Sequence, residues 1–377
     1  MIHQLPHLLY VQGDTINELV HDAMTANLDS ATHVPSRNGG ASSNYNVELT
    51  LTDPRCRHLS LTGRTSNIFQ MIAETFWVCS GSGRVDGFLE YFLPRAKEYS
   101  DDGVHWRGAY GPRIFEYGQM EGVIERFKAD KMTRQAVVDI YQSEKDSPES
   151  IRTEYDLEST KDLPCNDFIF FWIEPDNSFH MKTVQRSGDL IFGAGSINLF
   201  EFPFIHEWVF NLVQKMYPEI TLGAYHHNTI NLHLYDFTRQ QAEDVVEADQ
   251  YLGEEYYKRA RILEIPGAGF PSTLLRGQKF FKLITSIWEA HMDKKSVADM
   301  RSMEDAIHNR MAEFGVFPNT LIGIYCQLIT DYIAAKQMHV EGQESVVHHV
   351  ASREMPDALR QAVIDSKFRK FKFTKKD

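Results

Sequence analysis

Apolar residues alternate with polar ones in several short runs of the chain, and this spacing predicts β-strands. The pattern is clear at residues 47–51, where every second side chain is apolar. Residues 166–174 (NDFIFFWIE) form an apolar, aromatic run that is typical of a buried strand. A turn at 175–177 would join this run to a hairpin partner at 179–185 (FHMKTVQ). Two further strands are predicted at 136–141 and 229–235.

Other segments repeat their apolar residues at the helical spacing of three and four. Residues 65–79 predict a helix with Ser66 or Asn67 as its N-terminal cap. Residues 197–216 are apolar on nearly all sides, which indicates a buried helix. Further helices are predicted at 121–129, 317–336 and 356–371.

The character of the chain changes near Arg239, beyond which it is mainly helical and charged. We therefore expect a mixed α/β (α+β) catalytic domain over residues 1–240. Residues 241–377 would form a helical C-terminal extension, for which the sequence suggests no role.

Composition and charge narrow the classes of function. The 377 residues are 42% hydrophobic, which is typical of a globular protein. The net charge is -13. This charge argues against general nucleic-acid binding, because phosphate backbones are held by positive surfaces. It leaves room for a small anionic ligand.

The four cysteines are widely spaced, so they predict neither a metal site nor a disulfide scaffold, and we expect a cytoplasmic location (the host cytoplasm for a viral protein). No signal peptide is predicted, because the N-terminus lacks a basic region followed by a long apolar core. No membrane span is predicted, because no uninterrupted apolar run reaches about 18 residues.

Three segments carry candidate chemistry. Cys165 follows Pro164 directly before the predicted strand, where a thiol can face a cavity. The alternative is a small buried hydrophobic residue, which is the usual role of an unpaired cysteine. Arg186 and Ser187 follow the next predicted strand and together could clamp a phosphate. A surface turn with a salt bridge is the alternative there.

Downstream of the clamp, Asp189 and Asn198 offer polar groups near the start of the apolar helix. His233 and Tyr235 share one face of a predicted strand, so both could contact one ligand. A metal hydrolase built on the pair at 226–227 or at 348–349 is disfavoured, because adjacent residues of a strand point to opposite faces.

The order and spacing of these segments resemble the thymidylate synthase family. A Pro-Cys at a strand start, a Gln-Arg-Ser-x-Asp about twenty residues later, a downstream Asn and a His-x-Tyr strand carry the resemblance. Weaker similarities are Ala-Glu-Thr-Phe-Trp at 73–77 and Gly-Ala-Tyr-Gly at 108–111. Thr-Arg-Gln at 133–135 is another, as is an arginine at position 37 before a Gly-rich loop. The resemblance covers residues 15–240, and no similarity is apparent beyond that.

The resemblance implies transfer of a one-carbon unit from 5,10-methylenetetrahydrofolate to C5 of a pyrimidine nucleoside monophosphate. Cys165 would add to C6 of the base, which makes C5 nucleophilic. Asn198 would read the base edge and favour dUMP over dCMP. One extra residue separates Gly193 from Asn198 compared with the family's usual spacing. His233 and Tyr235 would hold the sugar.

The remaining roles also follow from the resemblance. Glu74 and Tyr110 would manage protons and water, and Glu74, Asp189 and Gly193 would contact the folate. The phosphate would lie among the residues Arg37, Arg186, Ser187 and an Arg134 donated across a homodimer interface.

The family divides into synthases, which make a methyl group, and hydroxymethylases, which let water add to the transferred carbon. Synthases shield that carbon with a tryptophan, and Ala96 stands at the corresponding position here. The smaller side chain would admit water. The chain also lacks the synthases' short apolar ending. The resemblance therefore favours a phage-type hydroxymethylase.

Several alternatives remain open. These are a divergent synthase that fills the space at Ala96 with another side chain, a dCMP hydroxymethylase, and a nucleotide- or RNA-binding regulatory relative with a basic, Phe-rich tail.

Overall fold

In a computed structural model the chain forms a mixed β-sheet covered by helices. The structure describes residues 2–5, 8–36, 38–251, 253, 270–337, 350 and 355–366. The strands of these residues are β1 (Ile2–Leu5), β2 (Leu8–Gly13), β3 (Thr32–Ser36), β4 (Gly39–Leu51), β5 (Val137–Asp139), β6 (Asn166–Ile173), β7 (Ser178–Gln185), β8 (Gly188–Asp189) and β9 (Thr221–Tyr235).

The helices that precede the central apolar helix are α1 (Ile16–Ser30), α2 (Ile68–Cys79), α3 (Phe88–Phe92), α4 (Tyr110–Phe115), α5 (Gln119–Ala129), α6 (Ser143–Asp146) and α7 (Pro148–Tyr155). The later helices are α8 (Asn198–Gln214), α9 (Arg239–Ala248), α10 (Leu274–Glu289), α11 (Val297–Phe314), α12 (Leu321–Gln337) and α13 (Asp357–Asp365). The side chain of Asn67 caps α2 by accepting a hydrogen bond from the backbone N–H of Gln70. Asn67 is one of the two residues that the sequence offered as the cap.

The sheet has the order β1-β2-β4-β9-β7-β6-β5, with β3 paired to β4 and β8 paired to β9. Antiparallel pairs join β4 to β9 and β6 to β7, whereas β7 and β8 run parallel to β9. The predicted mixed sheet and the 166–185 hairpin are therefore confirmed. The strand predicted at 229–235 is longer than expected and begins at Thr221, because its half-buried first half also pairs with β4 and β7.

Helix α8 lies in the core against the inner face of the sheet, and nearly all of its side chains are buried. Because no side of this helix faces water, the sequence shows almost no polar face. The imidazole of His206 hydrogen-bonds the carbonyl of Phe179 in β7 at 3.0 Å, which ties the helix to the sheet.

The helices after residue 240 pack on α2 and share one hydrophobic core with the first part of the chain. Phe76 of α2 contacts Phe281 and Trp288 of α10, with ring centroids 4.9 and 5.8 Å apart. Phe69 stacks on Tyr332 of α12 at 4.7 Å. The division at residue 240 stays a prediction. No helix within the described ranges is long and apolar enough to cross a membrane.

Candidate active site

Cys165 and Arg186 meet at one end of the β6–β7 hairpin. Cys165 directly precedes β6 and Arg186 directly follows β7, and the register pairs Asn166 with Gln185. The backbone N–H of Arg186 donates to the carbonyl of Cys165 at 2.9 Å. The antiparallel pairing thus brings together two residues that are 21 positions apart in sequence.

The guanidinium of Arg186 lies beside the thiol. Its Nε donates to the carbonyl of Pro164 at 2.9 Å and its Nη2 to the carbonyl of Leu163 at 3.2 Å. The same Nη2 lies 3.8 Å from Cys165 Sγ. A cation at this distance favours the thiolate over the thiol. The Arg186 side chain is otherwise exposed, so donors remain for an anionic ligand.

A phenol completes this end of the site. The hydroxyl of Tyr110, on α4, accepts a hydrogen bond from Asn166 Nδ2 at 2.9 Å. Burial raises the pKa of Tyr110 well above its usual value, and the nearby Cys165 and Glu201 raise it further. Tyr110 therefore stays a neutral hydroxyl that can donate or accept a hydrogen bond.

Asn198 is the first residue of α8, and a π-helical turn at Gly193–Ile197 precedes it. A π turn holds one more residue than an α turn, so it absorbs the extra residue between Gly193 and Asn198. Gly195 is required there, because a Cβ at this position would lie 1.9 Å from the carbonyl oxygen of Leu190. The spacing that distinguishes this chain from the usual family pattern therefore has a local structural cause.

The amide of Asn198 is held from both sides. Gln185 Nε2 donates to Asn198 Oδ1 at 2.9 Å, and Asn198 Nδ2 donates to Glu201 Oε1 at 2.9 Å. Gln185 Oε1 accepts from the hydroxyl of Thr229 at 3.1 Å and contacts His227 Nε2 at 2.9 Å. Because Gln185 thus uses its oxygen toward β9, it can present only its nitrogen to Asn198.

Two carboxyl groups lie in the same buried region, Glu74 on α2 and Glu201 on α8. Burial raises the pKa of Glu74 to about 7, and a hydrogen bond from Gln70 partly offsets this. Burial also raises the pKa of Glu201 well above its usual value, and the charge of Glu74 adds to this rise. Each carboxyl keeps one buried oxygen without a hydrogen-bond partner among the described residues. A carboxyl group with the pKa of Glu74 can exchange protons near neutral pH.

Asp189 is the last residue of β8, directly before the loop that leads to the π turn. Its Oδ1 accepts hydrogen bonds from the backbone N–H groups of Ile191 and Phe192 at 2.7 and 2.6 Å. Its Oδ2 is buried and has no hydrogen-bond partner in the described part of the chain. Burial raises the pKa of this carboxyl. An acceptor of this kind fits a ligand that brings an N–H donor, as a pterin does.

Arg64, which the sequence did not single out, donates hydrogen bonds to the backbone of the segment that follows Asp189. Its Nη1 donates to the carbonyl of Gly195 at 2.8 Å and to that of Leu190 at 3.4 Å, and its Nη2 donates to the carbonyl of Ile191. Burial lowers the pKa of Arg64 to about 10, which still leaves it charged.

His233 and Tyr235 lie together at the end of β9, as predicted from their shared face. Their rings contact edge to face with centroids 4.7 Å apart, and Tyr235 stacks on Phe237 at 5.2 Å. Asn38 Nδ2 donates to the hydroxyl of Tyr235 at 3.2 Å. The parallel β8–β9 pairing sets Asp189 beside His233, so both predicted groups lie at one edge of the site.

Other predicted residues stand apart from this cluster. Arg134 is exposed and, among the described residues, makes no hydrogen bond or ion pair. Ser187 and Gly193 are half-buried next to the Asp189 loop. Arg37 lies outside the described residues.

Ala96 is fully buried, in a short 3-10 helix at Ala96–Tyr99. Its carbonyl accepts a hydrogen bond from Trp106 Nε1 at 2.7 Å. The indole of Trp106 packs edge to face on Trp77, with centroids 5.6 Å apart. One indole, that of Trp106, therefore contacts Ala96, and the sequence analysis did not identify this residue.

The adjacent histidines of β9 point to opposite faces, as expected. His227 is buried and its Nδ1 lies 2.7 Å from the Thr183 hydroxyl, while His226 stacks on Trp172 at 5.5 Å on the other face. Among the described residues, no group of three or more His, Cys, Asp and Glu side chains is arranged to hold a metal ion. The pair at 348–349 lies outside the described residues.

Four residues of the site carried a weak signal or none in the sequence. Gln185 belongs to the Gln-Arg-Ser motif and Asn166 directly follows Cys165. Their positions beside predicted site residues were the only signal for these two. Glu201 is three positions after Asn198, a spacing that places both on one side of a helix. Only Arg64 had no signal, because its partners are backbone carbonyls about 130 residues away.

Comparison with known proteins shows the family of this chain. The sequence profile of the family described as "Thymidylate synthase" matches residues 23–256. A deoxyuridylate hydroxymethyltransferase of Delftia phage PhiW-14 is 40% identical over 340 residues, which are 89% of this chain and 89% of that protein. Such coverage extends well beyond residue 240, so the expectation that similarity ends there was wrong.

Two further relatives are more distant. Proteins of the same printed name from Bacillus phage SP01 and Pseudomonas phage M6 are each 31% identical to this chain. The matches cover 53% and 48% of this chain and 52% and 49% of the relatives. With the profile match and the long alignment together, this chain belongs to the thymidylate synthase family.

Proposed function

We propose that this protein transfers a one-carbon unit from 5,10-methylenetetrahydrofolate to C5 of dUMP and releases 5-hydroxymethyl-dUMP. The predicted class, a folate-dependent pyrimidine nucleotide hydroxymethyltransferase, is confirmed by the family match and by the names of the relatives. The observation that carries the proposal is the pairing of the Cys165 thiol with the Arg186 guanidinium, 3.8 Å apart at the rim of a buried polar cluster.

Cys165 is the nucleophile in this proposal. Its thiolate adds to C6 of the pyrimidine, and the electron pair displaced onto the ring makes C5 able to attack a carbon electrophile. Arg186 stabilises the thiolate before the attack. The exposed donors of Arg186, together with Ser187 and Arg37, bind the 5′-phosphate through charge-assisted hydrogen bonds.

Asn198 reads the base, and His233 and Tyr235 bind the sugar. An amide can donate to O4 of uracil and accept from N3–H, and Asn198 keeps a second N–H and a second lone pair for this purpose. The rings of His233 and Tyr235 are in contact, with centroids 4.7 Å apart, so one sugar can contact both side chains.

Glu74 moves protons at the reacting ring, and Tyr110 forms hydrogen bonds there. Glu74 has a pKa of about 7, so it can both give and take a proton at neutral pH. Tyr110 stays protonated and holds a water or the ring oxygen through its hydroxyl. Glu74 is then the group that accepts the proton of the water that adds to the transferred carbon.

The folate fits the residues present. The Oδ2 of Asp189, which has no partner among the described residues, can accept an N–H of the pterin, and Glu74 and Gly193 would also contact the folate. When bound, the folate supplies a carbon at the oxidation level of formaldehyde. The residues of this chain bind it and orient it toward C5.

A divergent synthase is the second candidate, and one observation favours it. Trp106 lies against Ala96, so an indole occupies the neighbourhood in which synthases place their shielding tryptophan. We nevertheless place the hydroxymethylase first, since the relatives carry that name.

We also propose that the enzyme works as a homodimer in the cytoplasm of its host. The outer sheet face carries half-exposed aromatic side chains, such as Phe168 and Phe170 on β6. A second copy packed on this face would bury them. Arg134, exposed and without a partner among the described residues, would then reach the phosphate of the neighbouring subunit.

Product analysis tests the proposal. The protein is incubated with 5,10-methylenetetrahydrofolate and either dUMP or dCMP, and the nucleotide and folate products are identified by mass. We expect hydroxymethyl-dUMP and tetrahydrofolate. A methylated nucleotide with dihydrofolate would instead identify a synthase, and a hydroxymethylated dCMP would identify the cytosine-specific alternative.

A further inference from the structure

Glu201 is a fully buried carboxyl for which the mechanism above has no role. It is 1% exposed, on α8, three residues after Asn198. Placing a carboxyl in the core is costly unless it is hydrogen-bonded. Among the described residues, the side chain of Glu201 has one hydrogen bond, which comes from the residue proposed to read the base. This contact indicates that Glu201 has a function and that it acts through Asn198.

The contacts leave the amide of Asn198 one orientation. Gln185 presents N–H groups, so it can face only the oxygen of Asn198. Glu201 Oε1 accepts from the nitrogen on the other side at 2.9 Å. Rotating the amide by 180° would set nitrogen against nitrogen at Gln185 and oxygen against oxygen at Glu201. Both hydrogen bonds would be lost in a buried site.

We propose that Glu201 is a positioning residue that fixes the amide orientation of Asn198 and thereby the preference for uracil over cytosine. The inference rests on the proposed function and deepens its substrate choice. Uracil offers an acceptor at O4 and a donor at N3, whereas cytosine offers a donor at N4 and an acceptor at N3. An amide that can rotate matches either base, and one that is held matches one base only.

Glu201 suits this role because its Oε1 is a buried acceptor that faces the nitrogen of Asn198. Burial and the charge of Glu74 raise the pKa of this carboxyl well above the usual value. The hydrogen bond needs only an acceptor oxygen, which the carboxyl supplies in either protonation state. A glutamine at this position offers a carbonyl oxygen in nearly the same place, whereas a methionine of similar length offers none.

That difference defines the experiment. Full-length Glu201→Gln, Glu201→Met and wild-type protein are titrated with dUMP and with dCMP by calorimetry, and the ratio of the two dissociation constants is compared. Both variants lose the carboxyl and its coupling to Glu74, so the difference between them reports the hydrogen bond to Asn198. We expect the ratio to fall roughly 10-fold in Glu201→Met and to stay within about 3-fold of wild type in Glu201→Gln.

Asn211→Ala is the matched control, since it removes a buried amide from the same helix whose hydrogen bond ends on the backbone of Glu207 at 2.7 Å. It should leave the ratio unchanged. In an Asn198→Ala background, Glu201→Met should have no further effect on the ratio. Should Glu201→Met not fold, Glu201→Ala takes its place in the same measurement.

Equal ratios in wild type, Glu201→Gln and Glu201→Met would overturn the inference, as would equal losses in both variants or a wild type without base preference. The proposed function is judged separately by wild-type turnover of dUMP. If wild type turns over dUMP while the variants keep its ratio, only the role of Glu201 is wrong. If wild type turns over neither nucleotide, the proposed function is wrong and the inference falls with it.

Discussion

The guanidinium nitrogen Nη2 of Arg186 lies 3.8 Å from the sulfur of Cys165, and the backbone N–H of Arg186 holds the Cys165 carbonyl at 2.9 Å. One residue thus places the cysteine and supplies the positive charge beside it. Because Arg186 also carries the exposed donors of the site, binding of an anionic ligand and activation of the thiol depend on the same side chain.

Replacing Arg186 by methionine should therefore slow alkylation of Cys165 at neutral pH, since the thiolate loses its neighbouring cation. We expect the rate with iodoacetamide to fall about 10-fold, and dUMP binding to weaken as well. Mass spectrometry of the labelled peptide against time measures the rate. Arg84→Met, which removes an exposed arginine paired with Asp86, is the control. An unchanged rate in Arg186→Met would contradict the electrostatic role.

Cys165→Ser should abolish turnover, because a serine hydroxyl is a far weaker nucleophile than a thiolate at neutral pH. A loss of at least about 1000-fold in kcat is expected, while the dissociation constant for dUMP changes little. Steady-state kinetics and calorimetry on the same preparation separate the two effects. The buried Cys79, changed to serine, serves as the control, and comparable turnover in both variants would exclude Cys165 as nucleophile.

The pH dependence of kcat should show one step near pH 7 that belongs to Glu74. Glu74→Gln should remove this step and lower kcat on the order of 100-fold or more. Gln70→Leu deletes the hydrogen bond that favours the ionised form, so its step should move to higher pH. A step that persists unchanged in Glu74→Gln would assign it to another group.

The same carboxyl should cost stability at neutral pH. Its pKa is about 7 in the folded protein against a usual 4.5, so between these values the folded state binds the proton that the unfolded state has lost. Stability therefore falls as the pH rises from about 4.5 to 7 and is constant above that. Glu74→Gln should be more stable than wild type by at most about 3 kcal/mol at pH 8, with a smaller gain at pH 5. Urea unfolding at the two pH values measures the difference.

Asn198→Asp should move the base preference toward dCMP. A carboxylate accepts but does not donate, so it suits the N4 amino group of cytosine and leaves O4 of uracil without a donor. We expect the ratio of kcat/KM for dUMP to that for dCMP to fall by about 100-fold or more. The result is read from competition between the two nucleotides in one reaction, and an unchanged product mixture would mean that another residue reads the base.

Arg64→Lys should loosen the loop that carries Asp189. A lysine cannot reach the carbonyls of Leu190, Ile191 and Gly195 together, so buried acceptors lose their donor, at a cost of about 1–3 kcal/mol. We expect the KM for the folate to rise roughly 10-fold and the KM for dUMP to change less. A larger effect on dUMP than on the folate would show that the loop serves the nucleotide instead.

Much of this site was predictable from the sequence because its residues lie at the ends of strands. Cys165 and Arg186 flank the two strands of a hairpin, and His233 and Tyr235 share one face of another strand. Strand ends and strand faces follow from a period of two, so local pattern and motif order were sufficient for these four. The fold class followed from the same alternation of strand and helix patterns.

The remaining features depend on contacts between distant segments, which no local pattern records. The π turn before Asn198 brings Gly195 close to the backbone of Leu190, and Arg64 acts through carbonyls about 130 positions away. The pKa of Glu74 is set by burial between α2 and α8, because desolvation depends on every element packed around a group. The sequence by itself determined which residues are chemically competent and where the strands place them. Only the tertiary structure decided which carboxyl groups are buried, how the amide of Asn198 is held, and that the helices after residue 240 complete the core around α2.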